Sequence, residues 1–197
     1  YATIDNTAGY QSGGLVARSS GSYIAACANF GSVTGKTSGG GIAGIVVKTS
    51  YNDGGIYNCY NAGAVSANSV ASGIVGTVSD KVCTVTGCYN SGTISGKSSS
   101  YGITGVSGLP AAKNYYLPQD GLKDAALASA SSFASEVTSD ALKALAPTLG
   151  WPYAADDGET KINQGYPVFE YQKTGTYKDE AEGLTLTGLT AVNGTLT

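Results

Sequence analysis

The chain has no histidine and no methionine, and charged residues make up only 13% of its 197 positions. Each shortage removes a class of function. Without imidazole, Ser-His and Cys-His nucleophilic chemistry is excluded, along with the commonest metal ligand. A net charge of −3 provides no basic field for nucleic acid. There is no apolar run of about 18 residues, so direct membrane insertion is not expected. A leader pattern and an initiating Met are also missing, which leads us to expect a piece of a longer precursor. Residues 1–117 contain no Glu, and their only carboxylates are Asp5, Asp53 and Asp80.

Glycine (29 residues), tyrosine (14) and apolar side chains (42%) are plentiful. That composition suits short strands joined by tight turns. An internal repeat organises it. Cys27-Ala28-Asn29-Phe30-Gly31-Ser32-Val33 matches Cys59-Tyr60-Asn61-Ala62-Gly63-Ala64-Val65 and Cys88-Tyr89-Asn90-Ser91-Gly92-Thr93-Ile94. Fourteen residues after each cysteine comes a second block: Gly41-Ile42-Ala43-Gly44, Gly73-Ile74-Val75-Gly76 and Gly102-Ile103-Thr104-Gly105. Gly14-Leu15-Val16-Ala17 begins the series in degenerate form; Asn114-Tyr115-Tyr116 ends it, with Tyr115 at the Cys-like position. The step from second block to next cysteine varies (13, 18, 15 and 13 residues), so one arc of each unit is fixed and the other tolerates insertion.

Each unit holds three short apolar segments and no helical periodicity. This predicts an all-β fold, a parallel β-helix or solenoid of about four coils. Stacking at about 4.8 Å per coil builds ladders of Cys27, Cys59 and Cys88, of Asn29, Asn61 and Asn90, and of Ile42, Ile74 and Ile103. The Asn row reads as a structural corner, because stacked amides bond to one another and to turn backbone. In-register thiols fit reduced core cysteines. The same stacking brings Cα atoms within disulfide reach, whereas the lack of His and of any Cys-x-x-Cys pair argues against a metal. Cys83 alone is out of phase.

The stretch "GSVTGKTSGG" from Gly31 to Gly40 resembles a phosphate-binding loop. It is one residue short between Gly31 and Gly35, however, and no helix pattern follows. The form recurs at Gly92, with Lys36, Asn68 and Lys97 at equivalent positions. It therefore reads as a repeated solvent-facing turn.

Past Leu117 the texture changes. Residues 118–172 read as a mixed α/β C-terminal cap. An amphipathic helical pattern over 122–146 (Phe133, Val137, Ala141, Leu145) breaks near Thr138-Ser139-Asp140 and ends at Pro147 and Gly150; a strand-like "GYPVFEYQ" runs from Gly165 to Gln172. Phe133, Trp151 and Val168 are its expected core. Residues 173–197 read as a linker and the first strand of a following module.

The motifs "IYNCYNAGAV" (Ile56 to Val65), "GGGIAG" (Gly39 to Gly44) and "INQGYPVFEYQ" (Ile162 to Gln172) resemble GLUG-like repeats in extracellular surface proteins of Gram-positive gut bacteria. The resemblance covers about residues 1–172. It implies a right-handed β-helix in a secreted or cell-wall-attached protein, beside other modules of the same chain, and it brings no catalytic residue, cofactor or metal. The expected function is thus a non-catalytic extracellular repeat module, a rigid scaffold or adhesin segment. Its expected partners are host or bacterial glycans or surface proteins. The variable arcs, about 45–58 and 77–87, fall on one side of the stack and carry Lys48, Tyr51, Asp53, Asp80 and Lys81, the expected binding residues. Tyr51, Tyr57, Tyr60, Tyr89 and Tyr101 are aromatics expected at the surface and able to stack on sugars. The alternative is a polysaccharide-degrading β-helix lyase or hydrolase, whose carboxylate pair would have to be Asp53 and Asp80.

Overall fold

The computed structural model describes residues 3–110, 112–123 and 133–175, with backbone stretches at 177–179, 184–186, 191–192 and 195–196. It divides into two compact units, Ala2–Thr138 and Ser139–Thr197.

Ala2–Thr138 is a β-solenoid of about four coils, with every strand paired in parallel to its counterpart one coil away. A full coil has five strands, as in Tyr23–Ala25, Ala28–Asn29, Val33–Gly35, Ser38–Gly40 and Ala43–Val47. Apolar content alone predicts three. Ser38–Gly40 has no large apolar side chain and becomes a strand because Gln11–Gly13 and Val70–Ser72 pair with it on either side. The expected ladders form. Val33 lies between Ile4 and Val65, with Ile94 beyond; Asn29, Asn61 and Asn90 are in register; Ile42 N–H donates to Ile74 O, and Ile74 N–H to Ile103 O. At the last coil the register differs by one residue from expectation. Tyr115 pairs with Tyr89, so Asn114 takes the cysteine position. Its amide explains the shift: Oδ1 accepts Cys88 N–H at 3.0 Å, while Nδ2 donates to Val85 O at 2.8 Å and Phe133 O at 3.0 Å.

Two cores run along the stack. The larger contains Ile42, Ile74, Ile103, Val46, Ile56, Val85, Cys59 and Cys88; the smaller contains Val33, Val65, Ala67, Ala71 and Ile94. The Asn row bonds the coils together in a third interior line. Asn29 Nδ2 donates to Asn61 Oδ1 and Asn61 Nδ2 to Asn90 Oδ1, both at 2.8 Å. The second amide hydrogen of each goes to the carbonyl of Gly31, Gly63 or Gly92. Glycines of the second block face these amides: a β-carbon on Gly14, Gly41 or Gly73 would collide with Asn29, Asn61 or Asn90 respectively. The two halves of the repeat motif are therefore one contact.

Parallel pairing continues past Leu117: Leu122–Lys123 pairs with Ser99–Tyr101, and Ala134–Glu136 with Asn114–Tyr116. The helical spacing read over 122–146 is corrected here. Among its described residues the helices are only Ser139–Lys143 and Ala146–Leu149, while 124–132 lies outside the described residues. Phe133, 1% exposed, packs into the larger core. Free backbone on Asn114–Tyr116 then draws the next three residues into a strand, overriding propensity.

In Ser139–Thr197, Pro147 lies in the first turn of Ala146–Leu149 and does not end a helix. Only Val168–Phe169 of "GYPVFEYQ" is a strand, antiparallel to Tyr153–Ala154, and Glu170–Thr174 is a helix. Val168 is buried as expected, but Trp151 is 66% exposed; the Tyr153 and Phe169 rings, 5.1 Å apart, fill that core. The buried carboxylate of Asp156 shapes the Asn163-Gln164-Gly165 loop by accepting N–H bonds from Ile162, Asn163 and Gly165. Two antiparallel pairs follow, Tyr177–Asp179 with Leu184–Leu186 and Ala191–Val192 with Thr195–Leu196.

Two stability outcomes follow from the interior rows. Asn61→Ala strands the Asn29 Nδ2 donor and the Asn90 Oδ1 acceptor in a dry interior, and should cost about 2–5 kcal/mol in urea unfolding. Thr104 is fully buried, and its hydroxyl has no hydrogen-bond partner among the described residues. The near-isosteric Thr104→Val should raise stability by about 1 kcal/mol, read as a higher unfolding midpoint.

Candidate functional site

The variable arcs come together as a braced pair of loops. Thr49 closes the first: its Oγ1 accepts the N–H groups of Tyr51 and Asn52, and its own N–H donates to Asn52 O. This turn leaves Tyr51 at the tip, 94% exposed. Lys48 Nζ and Asp53 Oδ1 pair at 3.4 Å across the loop base, with both side chains about half exposed, so the pair is worth well under about 1 kcal/mol. In the second loop Asp80 Oδ1 accepts Val82 N–H, and Asp80 O accepts Cys83 N–H. Cross-links join the two: Cys83 Sγ–H donates to Asp53 O at 3.0 Å, and Lys48 N–H donates to Ser79 Oγ at 3.0 Å. Lys81 runs over Gly108, whose β-carbon would lie 2.9 Å from its Nζ. The five residues thus belong to one side of the stack. They form an ion pair, an exposed phenol ring and a carboxylate spent on loop backbone.

The tyrosine expectations divide. Tyr57 is half-buried, whereas Tyr60, Tyr89 and Tyr101 are buried, at 0%, 0% and 5% exposure. In-register identical rings explain Tyr60 and Tyr89, which stack face to face at 4.9 Å, with Phe30 edge-on to Tyr60 at 5.6 Å; Tyr101 is in register with Ser72 and lies against Gly105. Sequence reasoning missed Tyr10 and Tyr23, exposed at 73% and 58%. The alternation in Tyr23-Ile24-Ala25 points Tyr23 outward once Ile24 is recognised as the partner of Ile56. Lys36, Asn68 and Lys97 are exposed at one corner, with the strand Ser38–Gly40 following where a phosphate loop needs a helix.

The four cysteines are all free thiols, with Cys59, Cys83 and Cys88 buried and Cys27 partly buried. Cys27, Cys59 and Cys88 each lie within bonding distance of the carbonyl two residues earlier. The Cys27 thiol is pushed far up by its bond to Cys59 and by burial. At Cys59 the Cys27 bond acts downward, but the Cys88 bond and burial outweigh it and hold the thiol well above its ordinary value. Burial is the main influence raising Cys83, and the Asp80 and Asp53 carboxylates add to it. Cys27, Cys59 and Cys83 are therefore held protonated, which disfavours nucleophilic work.

No protein-family model, curated protein or solved structure matches this chain. Among the described residues there is no cluster of three metal-ligating side chains, and no helix is long and apolar enough to cross a membrane.

The thiol row has a pH signature. A Cys59 pKa raised in the fold means that its contribution is complete below the unfolded thiol pKa of about 8.5 and declines above it, by up to about 1.4 kcal/mol per pH unit. Urea midpoints should therefore fall as pH rises through about 8.5–9.5, and Cys59→Ala should flatten that slope.

Proposed function

We propose that this chain is a non-catalytic repeat module of an extracellular protein, secreted or attached to a cell wall. In this reading it serves as a rigid scaffold or adhesin segment and touches host or bacterial glycans or surface proteins through its paired loops. The bracing of those loops carries the reading. Cys83 to Asp53 O and Lys48 N–H to Ser79 Oγ hold the Tyr51 tip in a fixed place on a stack whose interior is fully committed to packing. Loops fixed on a rigid scaffold lose little entropy on binding. The spacing shared with GLUG-like repeats supports the extracellular assignment, and a weakly charged, hydroxyl-rich surface fits a stalk.

A glycan array and a panel of host-surface proteins, probed with the intact chain, provide the test. Binding lost in Tyr51→Ala, with the unfolding midpoint unchanged, is the expected result. Polysaccharide turnover that disappears in Asp53→Asn or Asp80→Asn would overturn the non-catalytic assignment.

A further inference from the structure

The sheet of Tyr23–Ala25, Gly55–Tyr57 and Thr84–Thr86 has one face committed and one open. Ile24, Ile56 and Val85 are in register and point into the larger core. Their neighbours point outward: Tyr23, Ala25, Tyr57, Thr84 and Thr86, with Gly55 between Tyr23 and Thr84. The absent side chain at Gly55 decides the shape of this face. A β-carbon there would lie 2.8 Å from Tyr57 Cε2, so the glycine lets the Tyr57 ring lie down against the sheet. The Tyr23 ring stands against it at 65°, with centroids 5.6 Å apart. The result is a floor and a wall, both aromatic, one of them 58% exposed. Tyr23, Tyr57, Thr84 and Thr86 hydroxyls have no hydrogen-bond partner among the described residues. The face carries no charged side chain; Lys48, Asp53, Asp80 and Lys81 lie on the loops before it.

We propose that this face binds the pyranose rings of a neutral polysaccharide. A sugar ring has an apolar face of C–H bonds and a rim of hydroxyls. The site offers the complement, an aromatic angle bordered by uncommitted hydroxyls, with no charge to be desolvated. Exclusion of polyanions follows from the uncharged face and the net charge of −3. This inference shares glycan recognition with the reading above but uses different residues, so the two can fail separately.

Affinity gel electrophoresis of the whole chain in soluble neutral glucan, mannan and xylan, with alginate as the polyanion, tests it. Retardation in at least one neutral polymer and none in alginate is expected. Tyr57→Ala and Tyr23→Ala should each weaken it by about tenfold or more, while Tyr57→Phe keeps most of it and Tyr10→Ala, in the bend before Gln11–Gly13, keeps all. Unchanged melting curves show that the variants are folded. Absence of retardation in every neutral polymer overturns the inference and leaves a protein-binding loop face standing. Retardation that survives both alanine variants, or is lost in Tyr51→Ala alone, overturns it in favour of the loops.

Discussion

The hydrogen bonds between Asn29, Asn61 and Asn90 are the constraint on which the rest of this solenoid depends. A primary amide can serve the coil beyond it and its own turn at once, since it has two hydrogens and an acceptor oxygen. Here one hydrogen crosses to the next coil and the other reaches the glycine carbonyl two residues on. Both bonds are inside, where an unmade one is expensive. The amide then lies against a glycine of the coil before it, where a β-carbon would meet both the amide and the glycine carbonyl stacked on the next coil. Amide and close-stacked backbone together thus constrain two sequence blocks separated by the variable arc, and the arc can lengthen because neither partner lies within it. The row ends where Tyr116 replaces the amide and lays its ring against Gly102.

That arrangement also separates the two cores. Large aliphatic side chains fill one, and Val33, Val65, Ala67, Ala71 and Ile94 the other, with amides and glycines forming a line of their own. Close backbone approach at the glycines leaves no space for charged stems. The weakly charged composition is thus consistent with the interior geometry, and the low charge persists on the outward faces. Strand edges are satisfied at the far end by amides: Gln119 Oε1 accepts Ile94 N–H and its Nε2 donates to Gly92 O, as a further strand would.

How much of this was legible in the sequence depended on how local the cause was. Rows of Cys, Asn, Val and Ile were readable because a constant step of 14 residues leaves one way to superimpose the coils. Ser38–Gly40 and Ala134–Glu136 were not, since their strand state is imposed by neighbours and not by their own side chains. The one-residue shift at Asn114 depended on three hydrogen bonds to distant carbonyl and amide groups, which no spacing reveals. Tyrosines misled for a related reason. Tyr60 and Tyr89 are each other's copies across the coils and bury one another, while Tyr23 has Gly55 beside it and Thr84 beyond and stays exposed.

For the candidate loops, the common side of the stack was readable from the spacing, but the bracing between them was not. Cys83 looked like an irregularity in the repeat, yet its thiol ties the second loop to the Asp53 carbonyl of the first. Breaking the cysteine period is what permits this, because a thiol kept in the core row would bond to its own strand as Cys59 does. The same logic applies to the aromatic positions. Tyr60 and Tyr89, in register with one another, are taken up by stacking, whereas the proposed binding surfaces lie where the repeat is broken: at the loops of unequal length, and on the sheet where tyrosine meets glycine and threonine.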